Sequence, residues 1–250
     1  TLTNGTATTW FVDGSYSCTG GSFNMTAGTI QFAGSTATTI SHTGTTTTFF
    51  NVTINKTAAT VSTTSNWGVS STMTVQSTAT ILATAGAVTF TGAGAGTITN
   101  TSTAAAPQLT FFDLTINKSA GIAVTTSNNF SVAGSYTNTL GNLTCNAPCV
   151  ATFNGTADRT STITAGAVIF NDLTIAMGAG NTLTHTGNFS LRSDYSCTSG
   201  SFNATAGTVT AINDAALGTY SHAGAGTTTF FDLTNTKFDG ITHFNINIST

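Results

Sequence analysis

The chain contains no glutamate. Its 250 residues carry five lysines and arginines against eight aspartates, so 5% of them are charged and the formal net charge is −3. Soluble domains ordinarily carry about 25% charged residues. The cations Lys56, Lys118, Arg159, Arg192 and Lys237 stand singly along the chain. Nucleic acid is therefore not an expected partner, because phosphate neutralisation needs clustered Lys and Arg. No apolar run approaches the roughly 18 residues of a membrane helix, so no membrane span is expected. Glu, Lys, Arg and Leu are scarce while Thr and Gly abound, and no segment keeps a 3.6-residue period for three turns, which leaves an all-β chain. Thr1 is neither an initiator Met nor the start of a signal peptide, and the sequence is read as a mature or excised product.

Polarity comes instead from 83 serines and threonines and 21 asparagines. With 39% hydrophobic residues and seventeen phenylalanines in period-2 patterns, the chain has enough apolar material to order itself. One segment is written four times: TFFNVTINKTAA at 48–59, TFFDLTINKSAG at 110–121, VIFNDLTIAMGAG at 168–180 and TFFDLTNTKFDG at 229–240. With Val52, Leu114, Leu173 and Leu233 aligned, the spacings are 62, 59 and 60 residues. Alternation places Phe112, Leu114 and Ile116 on one strand face and Phe111, Asp113 and Thr115 on the other. Two further segment types lie between boxes, typified by GAVTFTG at 86–92 and FSVAGSY at 130–136. Three coils of about 20 residues per repeat are therefore expected. The third box is expected to be accommodated by a bulge. In the fourth, Asn235 stands where Ile54 and Ile116 stood and weakens the inward face.

Such coils, broken by Gly, Asn and Thr corners, are what a stacked β-solenoid requires. The expectation is a single domain of about 11–12 coils in four repeats, 1–66, 67–128, 129–188 and 189–250. At about 4.8 Å per coil the rod is roughly 55 Å long. Tandem β-sandwiches are the alternative, but their strands occupy unlike positions and need not recur. The two ends fall at nearly the same phase of the repeat without an amphipathic cap, so the chain is read either as a piece of a longer solenoid or as a head-to-tail polymer subunit.

The boxes TFFDLTINKS, GSYSCTGGSFNMTAGTIQF and DYSCTSGSFNATAGTVT resemble those of secreted prokaryotic Thr/Gly/Asn-rich surface proteins, adhesin-like or filament-forming. The resemblance implies a right-handed parallel β-helix and an extracellular structural or adhesive role. It carries over no catalytic residue.

Cys145 and Cys149, in CNAPC, could close a small disulfide loop, as suits an oxidising compartment. Cys18 and Cys197 share a repeat position about nine coils apart, roughly 43 Å, and are expected to be free or bonded between chains. No second Cys pair stands at ligand spacing, so neither a metal nor a cofactor is expected. His42 and His222, in SHTGTTTTFF and SHAGAGTTTFF, mark one corner copied twice. No nucleophile, base and orienting acid share a local pattern, and Asp158–Arg159 is the one adjacent opposite-charge pair, so no enzyme is expected. With so few carboxylates and histidines, stability should vary little with pH.

Twelve asparagines open Asn-X-Ser/Thr sequons: Asn4, Asn24, Asn51, Asn55, Asn100, Asn117, Asn129, Asn142, Asn154, Asn188, Asn203 and Asn247. Chance placement among these residues gives about seven, and the excess raises glycosylation and glycan partners. Thr arrays such as 45–48 and 227–229 raise ice binding, although in sequence they do not recur on every coil. The functional expectation is an extracellular filament or sheath subunit that binds itself end to end. A β-helical segment of a cell-surface adhesin is the alternative, and an ice-binding protein the lesser one.

Overall fold

The structure, a computed structural model, describes residues 2–212, 218–236 and 243–245. These form 33 short strands in three 11-stranded sheets, and every strand pairs with the third strand after it. Sheet A begins with Leu2–Asn4, sheet B with Thr9–Val12 and sheet C with Tyr16–Cys18. All described strand pairs are parallel, as in Leu2↔Phe23, Trp10↔Ile30 and Tyr16↔Ile40. The chain is thus a three-walled β-solenoid of 11 rungs, and no antiparallel sandwich is present among the described residues. Ten steps of about 4.8 Å make a rod roughly 48 Å long.

The sequence repeat and the coil differ. Val52, Leu114, Leu173 and Leu233 lie on the strands Asn51–Ile54, Asp113–Lys118, Asp172–Ala176 and Asp232–Asn235, which belong to sheets B, A, C and B. Successive boxes are eight strands apart, so each 60-residue repeat spans two and two-thirds coils rather than three. A coil takes about 22–23 residues, with extremes of 19 at Val124↔Leu143 and 28 at Ile81↔Leu109. The module tolerates this precession because all three walls make the same demand, apolar inward and polar outward. Its boundaries at 66/67, 128/129 and 188/189 precede the strands at Trp67, Phe130 and Phe189, again eight apart.

What recurs between coils is a pair. Phe32 sits against Ile54 on sheet B, Phe90 against Ile116 on sheet A, and Phe153 against Ile175 on sheet C. All six side chains are buried in one core cluster that runs the length of the rod. Aromatic rings continue the filling, with Phe49 at 5.9 Å from Phe23 and 5.7 Å from Trp67.

The box is turned at its first residues. Phe111 is fully buried, Phe112 is half-buried at a bend, and Leu114 and Ile116 are buried. A single corner residue joins sheet C to sheet A, so the in–out alternation resets there and Phe112 points away from the Leu114 face. Asn171 takes the equivalent place in the third box, where it joins sheet B to sheet C. Bulges do follow the second and third boxes, but the extra residue lies on the next coil: the register shifts after Ile116↔Asn138 and after Ile175↔Cys197. Some corners also admit only glycine. Gly166 has φ +88°, and a Cβ there would run into the carbonyl of Gly141 one coil below.

Leu114→Ala is expected to lower the unfolding free energy by about 2–5 kcal/mol through lost burial and a cavity. Thr115→Ala, half exposed on the same strand, should change it by less than about 0.5 kcal/mol. Denaturant titration of the two variants checks both.

Candidate functional site

The chemistry-bearing residues divide into inter-coil ties, internal polar clusters and the rod's ends. Asn and Asp at the corners supply most ties. Asn51 Oδ1 accepts the Thr72 N–H at 3.1 Å, Asn129 that of Val150 at 2.8 Å, Asn142 that of Ala167 at 2.8 Å and Asn188 that of Thr208 at 2.8 Å. Asp113, Asp158, Asp172 and Asp194 hold Ser135, Thr182, Asp194 and Thr219 in the same way. Each bond joins residues 20–25 apart, one coil. These corner N–H groups precede or open a strand, where a regular partner is hardest to find. The sequence reading missed this use of Asn.

The ties also account for part of the sequon excess. An Asn at the corner is followed by an inward apolar residue and an outward hydroxyl, as in Asn51-Val52-Thr53, Asn142-Leu143-Thr144 and Asn188-Phe189-Ser190. Asn-X-Ser/Thr is therefore a by-product of a corner and a two-residue period. Asn117, Asn129 and Asn188 are exposed; Asn24, Asn51, Asn55, Asn100, Asn142, Asn154 and Asn203 are half-buried. Asn55 accepts from Ser77 Oγ and Asn100 from the Ser102 N–H, while Asn154 Oδ1 is buried without a partner. Asn4 lies on the first strand, its side chain outside the description, and Asn247 lies outside the described residues.

The cations serve the same purpose. Lys118 is 1% exposed, and its ammonium donates to the carbonyls of Thr91 and Ser70, one and two coils back, at 2.6 Å each. Lys56 is buried likewise and donates to Asp13 O at 3.1 Å. In both Asn55-Lys56 and Asn117-Lys118 the lysine turns inward. Burial pushes Lys118 down to about 8 and lowers Lys56 as well, the latter opposed by the Asp13 charge. Met177 occupies the equivalent place in the third box and is buried too. Arg159 donates to Ala133 O and lies 5.0 Å from the Phe112 ring centre; Arg192 reaches Asn146 Oδ1. Lys237 lies outside the described residues.

Two copies of one internal cluster bridge sheets C and A, eight coils apart. Tyr16 OH, Thr47 Oγ1 and His42 Nδ1 form one chain at 3.2 and 2.9 Å; Tyr195 OH, Thr228 Oγ1 and His222 Nδ1 form the other at 2.9 and 3.0 Å. Cys18 pairs in register with His42, and Cys197 with His222. Eight coils put the two cysteines roughly 38 Å apart, one coil fewer than the sequence reading gave. Both are free thiols, and burial pushes Cys197 up, away from the thiolate that nucleophilic chemistry needs. Burial also raises Tyr16 to about 12 and lifts Tyr136, Tyr195 and Tyr220 above the usual phenol range. Cys145 and Cys149 are bonded, with Cα atoms 5.5 Å apart. No grouping of three or more His, Cys, Asp or Glu at metal-binding spacing occurs among the described residues.

His185 is the third imidazole, 2% exposed between Phe189 and Phe202. Nε2 donates to Gly187 O at 2.9 Å, which leaves Nδ1 to accept from Ser161 Oγ at 3.0 Å. Burial drives it down to about 4, outweighing both hydrogen bonds. Its neutral form is therefore built into the core, against the expectation of near pH-independence.

At the ends apolar side chains are exposed: Leu2, Trp10 and Leu233 at inward positions that are buried on the neighbouring coil, Phe11 in register with Gln31 on the outward face, and Phe231 at a corner. Leu2 is 60%, Trp10 38% and Phe11 68% exposed, beside a cavity of about 660 Å³ lined by Tyr16, Cys18, Phe23 and Ile30. At the other end Phe231 is 60% and Leu233 37% exposed, and Asn235 is exposed on the same strand. No described helix is long and apolar enough to cross a membrane. Together these features define a β-solenoid rod with polar walls and apolar ends. Comparison with protein families, curated proteins and solved structures finds no match to the chain.

Two pH effects follow. His185 releases its proton on folding, so stability is full above about pH 6.5 and falls as pH drops toward 4, by about 3 kcal/mol in all; His185→Gln should flatten that slope in urea titrations at stepped pH. Lys118 contributes a slope of the same sign in alkali. Between pH 8 and 10 the unfolded chain holds the proton that the native state has released, so stability should rise there. Lys118→Met, which copies Met177, should abolish the rise.

Proposed function

We propose that the chain is a structural subunit that stacks end to end with copies of itself into an extracellular filament or sheath, without catalysis. The observation that carries this reading is the contrast between the rod's ends and its middle. Leu2 pairs with Phe23, which is 6% exposed, and Trp10 with Ile30 at 1%, yet nothing among the described residues covers Leu2 or Trp10 themselves. The far end repeats the contrast, since Leu233 pairs with the fully buried Val209. An open rung also presents a row of unpaired backbone groups to another chain. The near absence of charge removes long-range repulsion between copies.

An extracellular setting is supported by the Cys145–Cys149 bond, since disulfides persist in oxidising compartments. Glycans would attach at the exposed Asn117, Asn129 and Asn188, and a glycopeptide map of native material reads this directly.

Flanking coils of the same chain would cover the ends equally well, and this is the adhesin reading. Intact mass of the native protein separates it from the subunit reading: near 25.2 kDa plus glycans for a subunit, far larger for an adhesin.

Electron microscopy of the concentrated 250-residue chain should show fibres about one rod wide. Trp10→Lys with Phe11→Asp should leave folded single rods. A wild-type chain that stays monomeric up to its solubility limit would overturn the proposal.

A further inference from the structure

Folding gathers the scattered threonines into columns. On sheet A, Thr89, Thr115, Thr137, Thr162 and Thr186 stand in register on five consecutive coils, all partly exposed. The sequence does not show this, because the five are separated by 22 to 26 residues and lie in unlike motifs. Adjacent members are about 4.8 Å apart, so the column is about 19 Å long. A second rank begins beside it with the pair Thr160–Thr184.

The other walls differ. On sheet B the column is shorter, the four residues Thr72, Thr97, Thr125 and Thr144 between Asn51 and Ile169 with Thr53, Thr74 and Thr99 beside them, and the hydroxyls of Thr72 and Thr97 bond each other at 2.9 Å. On sheet C, Thr60 and Thr80 are likewise paired at 2.7 Å, and Leu82 interrupts the outward row. The five sheet A threonines make no side-chain hydrogen bond within the protein. Their hydroxyls are free for an outside partner, and their methyls are held at the same spacing by the coils.

We propose that this wall binds ice. The column carries no charge, so it offers an ionic partner no counter-charge and suits an uncharged one. It has to repeat along a line at nearly the coil spacing, because each contact is a copy of the last; oxygen rows in hexagonal ice meet that condition. A polysaccharide groove would call for aromatic platforms and amide or carboxylate partners, and the column has none. The rigid, unionised hydroxyl and methyl array orders water at lattice positions and lets the rod join the crystal face. The proposal is independent of end-to-end assembly, since it uses a side wall and a single rod suffices.

The test measures thermal hysteresis and crystal shape with the purified chain. The wild type should hold the freezing point below the melting point and facet growing crystals. Thr115→Lys with Thr137→Lys should remove most of the hysteresis, whereas Thr152→Lys with Thr174→Lys on sheet C should leave it intact, both variants keeping the wild-type circular dichroism. Freezing-point depression no greater than colligative would overturn the proposal. So would equal losses from both walls, or binding to crystalline cellulose without any effect on ice.

Discussion

Each turn of this chain is covered by the turn that follows it, and the rest of the structure depends on that. A strand of two to six residues cannot bury its apolar side or satisfy its backbone alone. Stacked in parallel on the third strand before it, it does both. The main chain then imposes a fixed axial spacing on everything attached to it, inside and out. The scarcity of charge fits this arrangement: an interior column of like residues at that spacing accepts Phe, Ile and Val readily and an unpaired charge only at high cost.

Lys118 enters the body held by backbone carbonyls. Lys118 reaches carbonyls on two earlier coils, so one side chain spans three rungs. The corner Asn and Asp span two. Such ties resist slippage between coils, which hydrophobic stacking of similar residues does not prevent by itself. They explain why polar residues recur in the repeat: their partners are backbone atoms of the neighbouring coil. The duplicated Tyr–Thr–His chains likewise tie neighbouring coils, through side chains in place of the backbone.

The repeat and the coil run on different periods, and this shapes the rod's surface. An eight-strand module laid over a three-strand coil returns to the same wall only after three modules, which is why the Tyr16 and Tyr195 clusters both bridge sheets C and A. Intervening modules present the same segments on the other walls. No wall is therefore a plain copy of the sequence repeat, and a feature spread over one wall is assembled from several different segments of the module.

The all-β class, the solenoid and the inward Leu114 and Ile116 were legible in the sequence because stacking requires each coil to repeat its apolar alternation locally, and local periodicity is what a sequence displays. The corner reset at Phe112, the inward turn of Lys56 and Lys118, and the neutral burial of His185 were not, because each depends on which atoms of another coil lie opposite. The length of the coil itself was hidden as well: repeats reveal the evolutionary unit, while register is set by backbone bonds between residues some 19 to 28 positions apart. Sequence alone determined that short, uncharged, two-faced strands would stack. Only the tertiary structure decided how many strands close a turn, and so which residues share a wall, because that choice is made by the closing geometry of the corners and the pairing of one coil with the next.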